Sequence, residues 1–313
     1  MLGPVRPAPG AAIPEERLTP WQRVARAEDA RVLGDGTLAR ALADADAGLR
    51  RRAALAVGRL QDSLGTALLL PLLGDPDAEV RREAVFALGQ IGLARPGGPG
   101  RAAEARPALE QLLRDTDPAT AELALEALGK LGDRAATPLV AGFLGHPGAA
   151  LRGAAALALW RLADSTALDA LLFRLDDGDA GVRWRALYAL ERIVAPERVV
   201  LLAALHADDE DPLVRAYAVR TMGRQRSPEG TAYVLQKLAD PDVGVAANAM
   251  RALVLIADST CGGCLPAFTG ALGEISCVRS HRRFIVSGNG FACGVIGMRC
   301  QCRNYGVLVV RKR

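Results

Sequence analysis

The sequence is poor in the residues on which compact cores and catalytic centres usually depend. It has three Trp, four Tyr and six Phe among 313 residues, which excludes a core organised by a few large rings and implies many small Ala and Leu contacts. Histidine occurs only at His146, His206 and His281, and none precedes a Glu, too few ligands for a metal-oxygenase centre. Lysine occurs only at Lys130, Lys237 and Lys312, a bias that reflects base composition rather than function. No uninterrupted run of about 18 apolar residues is present, so no membrane-spanning helix is expected. The first 20 residues, rich in Pro and Gly, contain no apolar core of a signal peptide; a cytoplasmic protein is the expectation. What the chain does have is 50% hydrophobic and 24% charged residues, which excludes wholesale disorder.

Two further absences divide the chain. No cysteine precedes Cys261, and no Asp or Glu follows Glu274. The eight cations after Glu274 leave residues 1–274 with 31 basic against 35 acidic residues, a net −4 inside a chain of net +4. An acidic, cysteine-free body therefore precedes a basic, cysteine-bearing tail.

The body is repetitive. DADAGLRRRAALAVGRL from Asp44, DPDAEVRREAVFALGQI from Asp75 and DTDPATAELALEALGKL from Asp115 align without gaps. HPGAALRGAAALALWRL from His146, DGDAGVRWRALYALERI from Asp177, DEDPLVRAYAVRTMGRQ from Asp209 and DPDVGVAANAMRALVLI from Asp240 continue the series. The starts are 31, 40, 31, 31, 32 and 31 residues apart, and the outlier is accounted for by the Gly/Pro-rich insertion at 93–105. Such a period marks stacked structural repeats.

Each unit reads as a helix pair. An Asp can cap the first helix, with Pro tolerated in its first turn. Val80, Ala84, Leu88 and Ile91 then form an apolar stripe, and a second helix such as SLGTALLLPLL follows. One such pair cannot bury its own apolar face, so stability must come from stacking. The pairs Asp46/Arg50, Asp77/Arg81, Asp179/Arg183 and Asp211/Arg215 recur at i,i+4, the spacing of neighbours on a helix. Stacking places the next unit's pair nearby, so they predict a structural ladder of carboxylates and guanidiniums along the array, a staple between repeats rather than a binding stripe. It is broken where Ala121 and Ala246 replace the Arg and where Gly148 replaces the Asp.

The pattern D-x-D-x-x-V-R-x-x-A-x-x-A-L-G resembles the short HEAT-like repeats first described in phycobilisome lyases. The resemblance implies an all-α, right-handed α-solenoid of about seven helix pairs over 21–274, preceded by a leader at 1–20 and followed by an irregular tail at 275–313. Deoxyhypusine hydroxylase resembles such an array but carries His-Glu pairs that this sequence lacks. Nothing marks the chain as a phycobilin lyase. The segment from Trp21 to Leu60 is similar to the start of bacterial fusions of HEAT-like repeats with a cyclophilin-type peptidyl-prolyl isomerase. About 40 residues follow Glu274, too few for that catalytic domain, so this resemblance implies a scaffold without its catalyst. Neither a phosphate loop, a G-x-S-x-G nor an H-E-x-x-H is present.

In the tail, Cys261, Cys264, Cys300 and Cys302 have only partial zinc-ligand spacing; no metal or other cofactor is expected. Arg279, Arg282 and Arg283 could meet nucleic acid, but few aromatics accompany them and the stacking signature is weak. The leading expectation for 275–313 is a nonhomologous or out-of-frame terminus without selected function, with a disulfide cluster a lesser one; a zinc- or nucleic-acid-binding tail is a subordinate alternative to a non-catalytic protein scaffold. The partner surface is expected on one side of the motif helices. There Arg59, Arg82, Phe86, Lys130, Trp160, Arg161, Trp184, Tyr188, Arg192, Arg220, Arg224 and Arg251 share a helical face. Tryptophan and tyrosine among arginines is the composition of interface hot spots and suits an acidic or extended protein partner. The competing expectation is that Trp184 and Tyr188 fill gaps between repeats.

Overall fold

The computed structural model of the chain describes residues 15–93, 102–193, 196–226, 228–260, 285–288 and 291–294. They fall into two compact units, Met1–Ala167 and Leu168–Arg313, each described here by itself.

The first unit opens with α1 (Pro20–Asp29). Thr19 accepts from the Gln22 N–H while the Gln22 side chain accepts from the Thr19 N–H at 2.9 Å, a reciprocal cap that fixes where the helix starts. α2 (Thr37–Leu42) follows, with Asp35 taking both the Thr37 N–H at 2.8 Å and the Thr37 hydroxyl at 3.0 Å. Helix pairs then succeed one another: α3 (Ala47–Leu60) with α4 (Gly65–Leu69), α5 (Ala78–Ile91) with α6 (Arg106–Leu112), and α7 (Pro118–Leu131) with α8 (Thr137–Gly142). α9 (Ala149–Leu162) is the last α-helix of this unit. The second unit holds α10 (Leu168–Phe173), α11 (Ala180–Ile193), α12 (Pro196–Leu205), α13 (Pro212–Arg224), α14 (Thr231–Gln236) and α15 (Val243–Thr260). Odd-numbered helices from α3 onward carry the repeated motif. The stripe Val80, Ala84, Leu88 and Ile91 is at most 2% exposed, and burying each larger member contributes roughly 1.5–3 kcal/mol.

The two motif aspartates divide their labour. The second caps the helix: Asp46, Asp77, Asp117 and Asp211 accept N–H groups of the first turn, as do Asp179 from Val182 at 3.1 Å and Asp242 from Val245 at 3.0 Å. The first aspartate folds the preceding turn by accepting the N–H two residues on, as Asp75 does from Asp77 at 2.9 Å. His146 stands in for this aspartate, its Nδ1 accepting from the Gly148 N–H at 3.0 Å.

Close packing between motif helices depends on a glycine near the end of one and an alanine on the next. A Cβ on Gly129 would lie 2.7 Å from Ala158 Cα, and one on Gly223 would lie 2.4 Å from Ala252 Cα. Second helices are shorter than the sequence pattern implies. SLGTALLLPLL forms only α4 and then a 3₁₀ turn, Leu70–Gly74, because Pro71 has no N–H for the α ladder and its ring crowds the preceding turn. Of residues 275–313 the structure describes two strands, Ile285–Gly288 (β1) and Phe291–Gly294 (β2), which pair antiparallel with Gly288 opposite Phe291. Among the described residues no helix is long and apolar enough to cross a membrane. The fold class is an all-α solenoid of stacked helix pairs.

Candidate arginine–aromatic interface

The motif arginines Arg50, Arg81, Arg183 and Arg215 bond across the repeats rather than to the aspartates four residues before them, Asp46, Asp77, Asp179 and Asp211. Those second aspartates are occupied by helix N–H groups. Each arginine instead spans to the first aspartate of the next motif. Arg50 grips Asp75 at 2.7 and 2.8 Å, Arg81 grips Asp115 at 2.8 Å twice, Arg183 grips Asp209 at 2.9 and 2.7 Å, and Arg215 grips Asp240 at 2.9 Å twice. Nη1 of the same guanidinium donates to carbonyls of its own turn, as Arg81 does to Asp75 at 2.8 Å and Pro76 at 3.3 Å. Both edges of the fork are therefore used. Hydrogen bonding from the arginine, the largest influence, holds the Asp75, Asp115 and Asp240 carboxyls below their ordinary pKa. At Asp209 burial pushes upward most strongly, yet Arg183 and the Asp211 N–H together outweigh it. Where Ala121 replaces the arginine, the next motif begins with His146 rather than Asp. Both partners are exchanged together, so no buried carboxylate is stranded.

On the motif helices of the first unit, three of the expected cations are neutralised internally. Arg59 pairs with Glu28 at 2.8 Å, Arg82 pairs with Asp117 at 3.1 Å and with Glu79, and Lys130 pairs with Glu126 at 2.7 Å. Lys130 also lies 5.3 Å from the Phe86 ring, and Arg161 lies 4.7 Å from the Trp160 ring.

The second unit is built differently. Trp184 on α11 stacks on Tyr217 of α13 with ring centroids 4.7 Å apart, and Tyr188 meets Tyr217 edge-on at 5.9 Å. Arginines cover these rings: Arg185 lies 4.7 Å from Trp184, Arg192 lies 3.5 Å from Tyr188, and Arg220 lies 5.6 Å from Tyr188 and 5.0 Å from Tyr217. Trp184 and Tyr188 of α11 thus both contact Tyr217 of α13. Their rings also hold guanidiniums in place by cation–π contact. Among the described residues, no carboxylate lies within ion-pair distance of Arg185, Arg220 or Arg251.

One residue of this site escaped the sequence reading. Glu191 stands where Gly58, Gly89, Gly129 and Gly223 stand in other motifs, and Thr221 stands where the facing alanine would be. The Glu191 side chain is 1% exposed. Arg224 Nε lies against its Oε1, Arg192 lies 3.7 Å from its Oε2, and the Thr221 hydroxyl donates to Oε2 at 3.4 Å. A carboxylate at a helix-contact glycine position was the available signal. Arg192 feels this crowding: burial, the largest influence, lowers its pKa, Glu191 opposes that shift, and Arg224 and Arg220 add to it.

Among the described residues no group of His, Cys, Asp and Glu could hold a metal ion. Cys261, Cys264, Cys300 and Cys302 lie outside the described residues, so their zinc spacing is not addressed by the fold. His146 stacks on Phe143 at 5.7 Å, and burial lowers the pKa of His206; both are accounted for as parts of turns.

A profile of the HEAT repeats matches residues 35–102, 66–159, 105–191, 137–215 and 198–262. An engineered protein solved by the Northeast Structural Genomics Consortium is similar at 23% identity over 75% of this chain and 70% of that one, with a TM-score of 0.51. The Escherichia coli protein YibA aligns at 16% identity over 80% of this chain and 90% of its own, with a TM-score of 0.52. The CpcE–CpcF complex of phycocyanin lyase from Nostoc sp. PCC7120 aligns at 25% identity over 81% and 98%, with a TM-score of 0.41, too loose for any argument. No curated protein matches the chain. At these identities the structures speak to the fold alone, whereas the successive profile matches run through both units and set the conclusion: the chain belongs to the HEAT-repeat family.

Proposed function

We propose that the chain is a non-catalytic protein-binding scaffold, and that the motif-helix face of its second unit receives an acidic, extended segment of the partner. The observation that carries this reading is the contrast in charge pairing. In the first unit Arg59, Arg82 and Lys130 are matched by carboxylates and Arg161 rests on a ring, whereas in the second Glu191 is shared by Arg192 and Arg224, Arg185 and Arg220 rest on aromatic rings, and Arg251 is exposed. A ring orders a guanidinium without cancelling its charge, so this face keeps a positive field within a net-acidic body. Membership of a repeat family whose chains bind other proteins agrees with it, and the sequence carries no constellation for nucleophilic or acid–base catalysis.

The test is fluorescence anisotropy of a labelled glutamate dodecamer with the full chain, against a lysine dodecamer. Binding of the acidic peptide alone, weakened by salt and by Arg220→Gln with Arg251→Gln at unchanged melting temperature, is the expected result. Equal binding of both peptides, or insensitivity to the double variant, would refute the reading.

A further inference from the structure

The positions of Arg220 and Arg224 allow the partner's chemistry to be specified further, resting on the reading above. They sit at i and i+4 on α13, so a rise of about 6 Å separates them along the axis. In an extended peptide, side chains at i and i+2 project from the same side about 6.6–6.8 Å apart. We propose that α13 recognises an extended segment with acidic residues two apart, carboxylate–x–carboxylate, running along the helix with one carboxylate on Arg220 and the next on Arg224.

Three features point to these two cations. Arg192, the counterpart of Arg224 on α11, is pressed 3.5 Å over Tyr188 and keeps only 18% of its side-chain surface, so a partner meets little of it. Arg224 remains 48% exposed although its Nε faces Glu191, which leaves the terminal nitrogens as an outward edge. Arg220 is steadied by two rings and has no carboxylate of its own within ion-pair distance among the described residues. Glu191 acts as a positioning residue: it holds the Arg224 guanidinium at its inner edge. Because Trp184, Tyr188 and Tyr217 stack on one another and under arginines, they offer little open ring face to nucleobases, which favours a peptide over a nucleic acid.

A neighbouring geometry provides the control. Arg251 occupies on α15 the motif position of Arg220 on α13, and packed helices lie about 8–10 Å apart. A peptide crossing the helices in polyproline form would present residues three apart at about 9.3 Å and would need carboxylates at i and i+3.

The experiment titrates the full chain with four acetylated, amidated peptides, three carrying the same number of Glu in a Gly/Ser background. Their carboxylates are placed adjacent, two apart or three apart, and the fourth has Gln in place of Glu. The two-apart peptide is expected to bind about ten-fold tighter than either isomer, the worth of one charge-assisted contact. Arg220→Gln and Arg224→Gln should each abolish that preference, and Glu191→Gln should reduce it while leaving salt-dependent binding of a glutamate dodecamer in place. Preference for the three-apart peptide, or equal binding of all three acidic isomers, overturns the register proposal while the acidic-partner reading stands. Failure of every acidic peptide, including the dodecamer, overturns both, as does tighter binding of a single-stranded oligonucleotide. A melting curve for each variant identifies loss by unfolding. Should Arg220→Gln unfold, Arg220→Lys retains the charge without the planar fork and should lower the spacing preference at intact stability; full preference in that variant also overturns the proposal.

Discussion

Removing Arg81 tests the inter-repeat clasp most directly. Its side chain is 12% exposed, that of Asp115 is 7% exposed, and two 2.8 Å bonds join them. Arg81→Met keeps the aliphatic stem but strands the Asp115 carboxylate with only the Asp117 N–H as a donor, at 2.8 Å, and frees the carbonyls of Asp75 and Pro76. Breaking a fully buried pair costs about 3–5 kcal/mol; water still reaches the edge of this fork, so about 2–3 kcal/mol is expected. Asp115→Asn added to Arg81→Met removes the stranded charge and keeps the oxygen that receives the Asp117 N–H. The double variant should therefore recover at least about 1 kcal/mol, a coupling of the size found for contacting residues. At the Ala121/His146 junction both the arginine and the carboxylate are already absent. Repeat arrays open locally, so the assay is native-state hydrogen exchange in α5 and α7 rather than one global melt. Strictly additive effects of Arg81→Met and Asp115→Asn would refute the clasp.

Three other outcomes are expected. The carboxyls of Asp75, Asp115 and Asp240 have folded pKa values below their ordinary value of 3.8, so their stabilisation is complete above about pH 4–5 and is lost as pH falls through the folded values; melting temperature measured from pH 7 to pH 2 should drop in that acid window, and less steeply in Arg81→Met/Asp115→Asn. Gly223→Ala gains about 1 kcal/mol of helix propensity, yet its Cβ would lie 2.4 Å from Ala252 Cα, so the melting temperature should fall, whereas Gly142→Ala, with nothing within 4 Å, should not lower it. Leu88, 0% exposed, changed to Asp should strip exchange protection from α5 and its stacked neighbours while α13 and α15 keep theirs; uniform loss would mean one cooperative globule.

Local chemistry was legible in the chain itself. The 31-residue period is a regularity of the string itself, and the capping aspartates and the Val80–Ala84–Leu88–Ile91 stripe depend on residues within a few positions of one another, where helix geometry dictates who meets whom. The acidic body and basic tail are likewise plain in composition. Stacking decided the rest. Arg81 lies four residues from Asp77 and 34 from Asp115, and sequence distance favours the wrong partner; the N–H groups of Glu79 and Val80 claim Asp77 first, and the next repeat brings Asp115 within reach. The cations at Arg59, Lys130, Arg192 and Arg224 look alike as a sequence column, each in the last turn where a positive charge suits the helix dipole. Only the folded chain separates them, because a carboxylate cancels the first two, a ring covers Arg192, and Glu191 holds Arg224 from beneath.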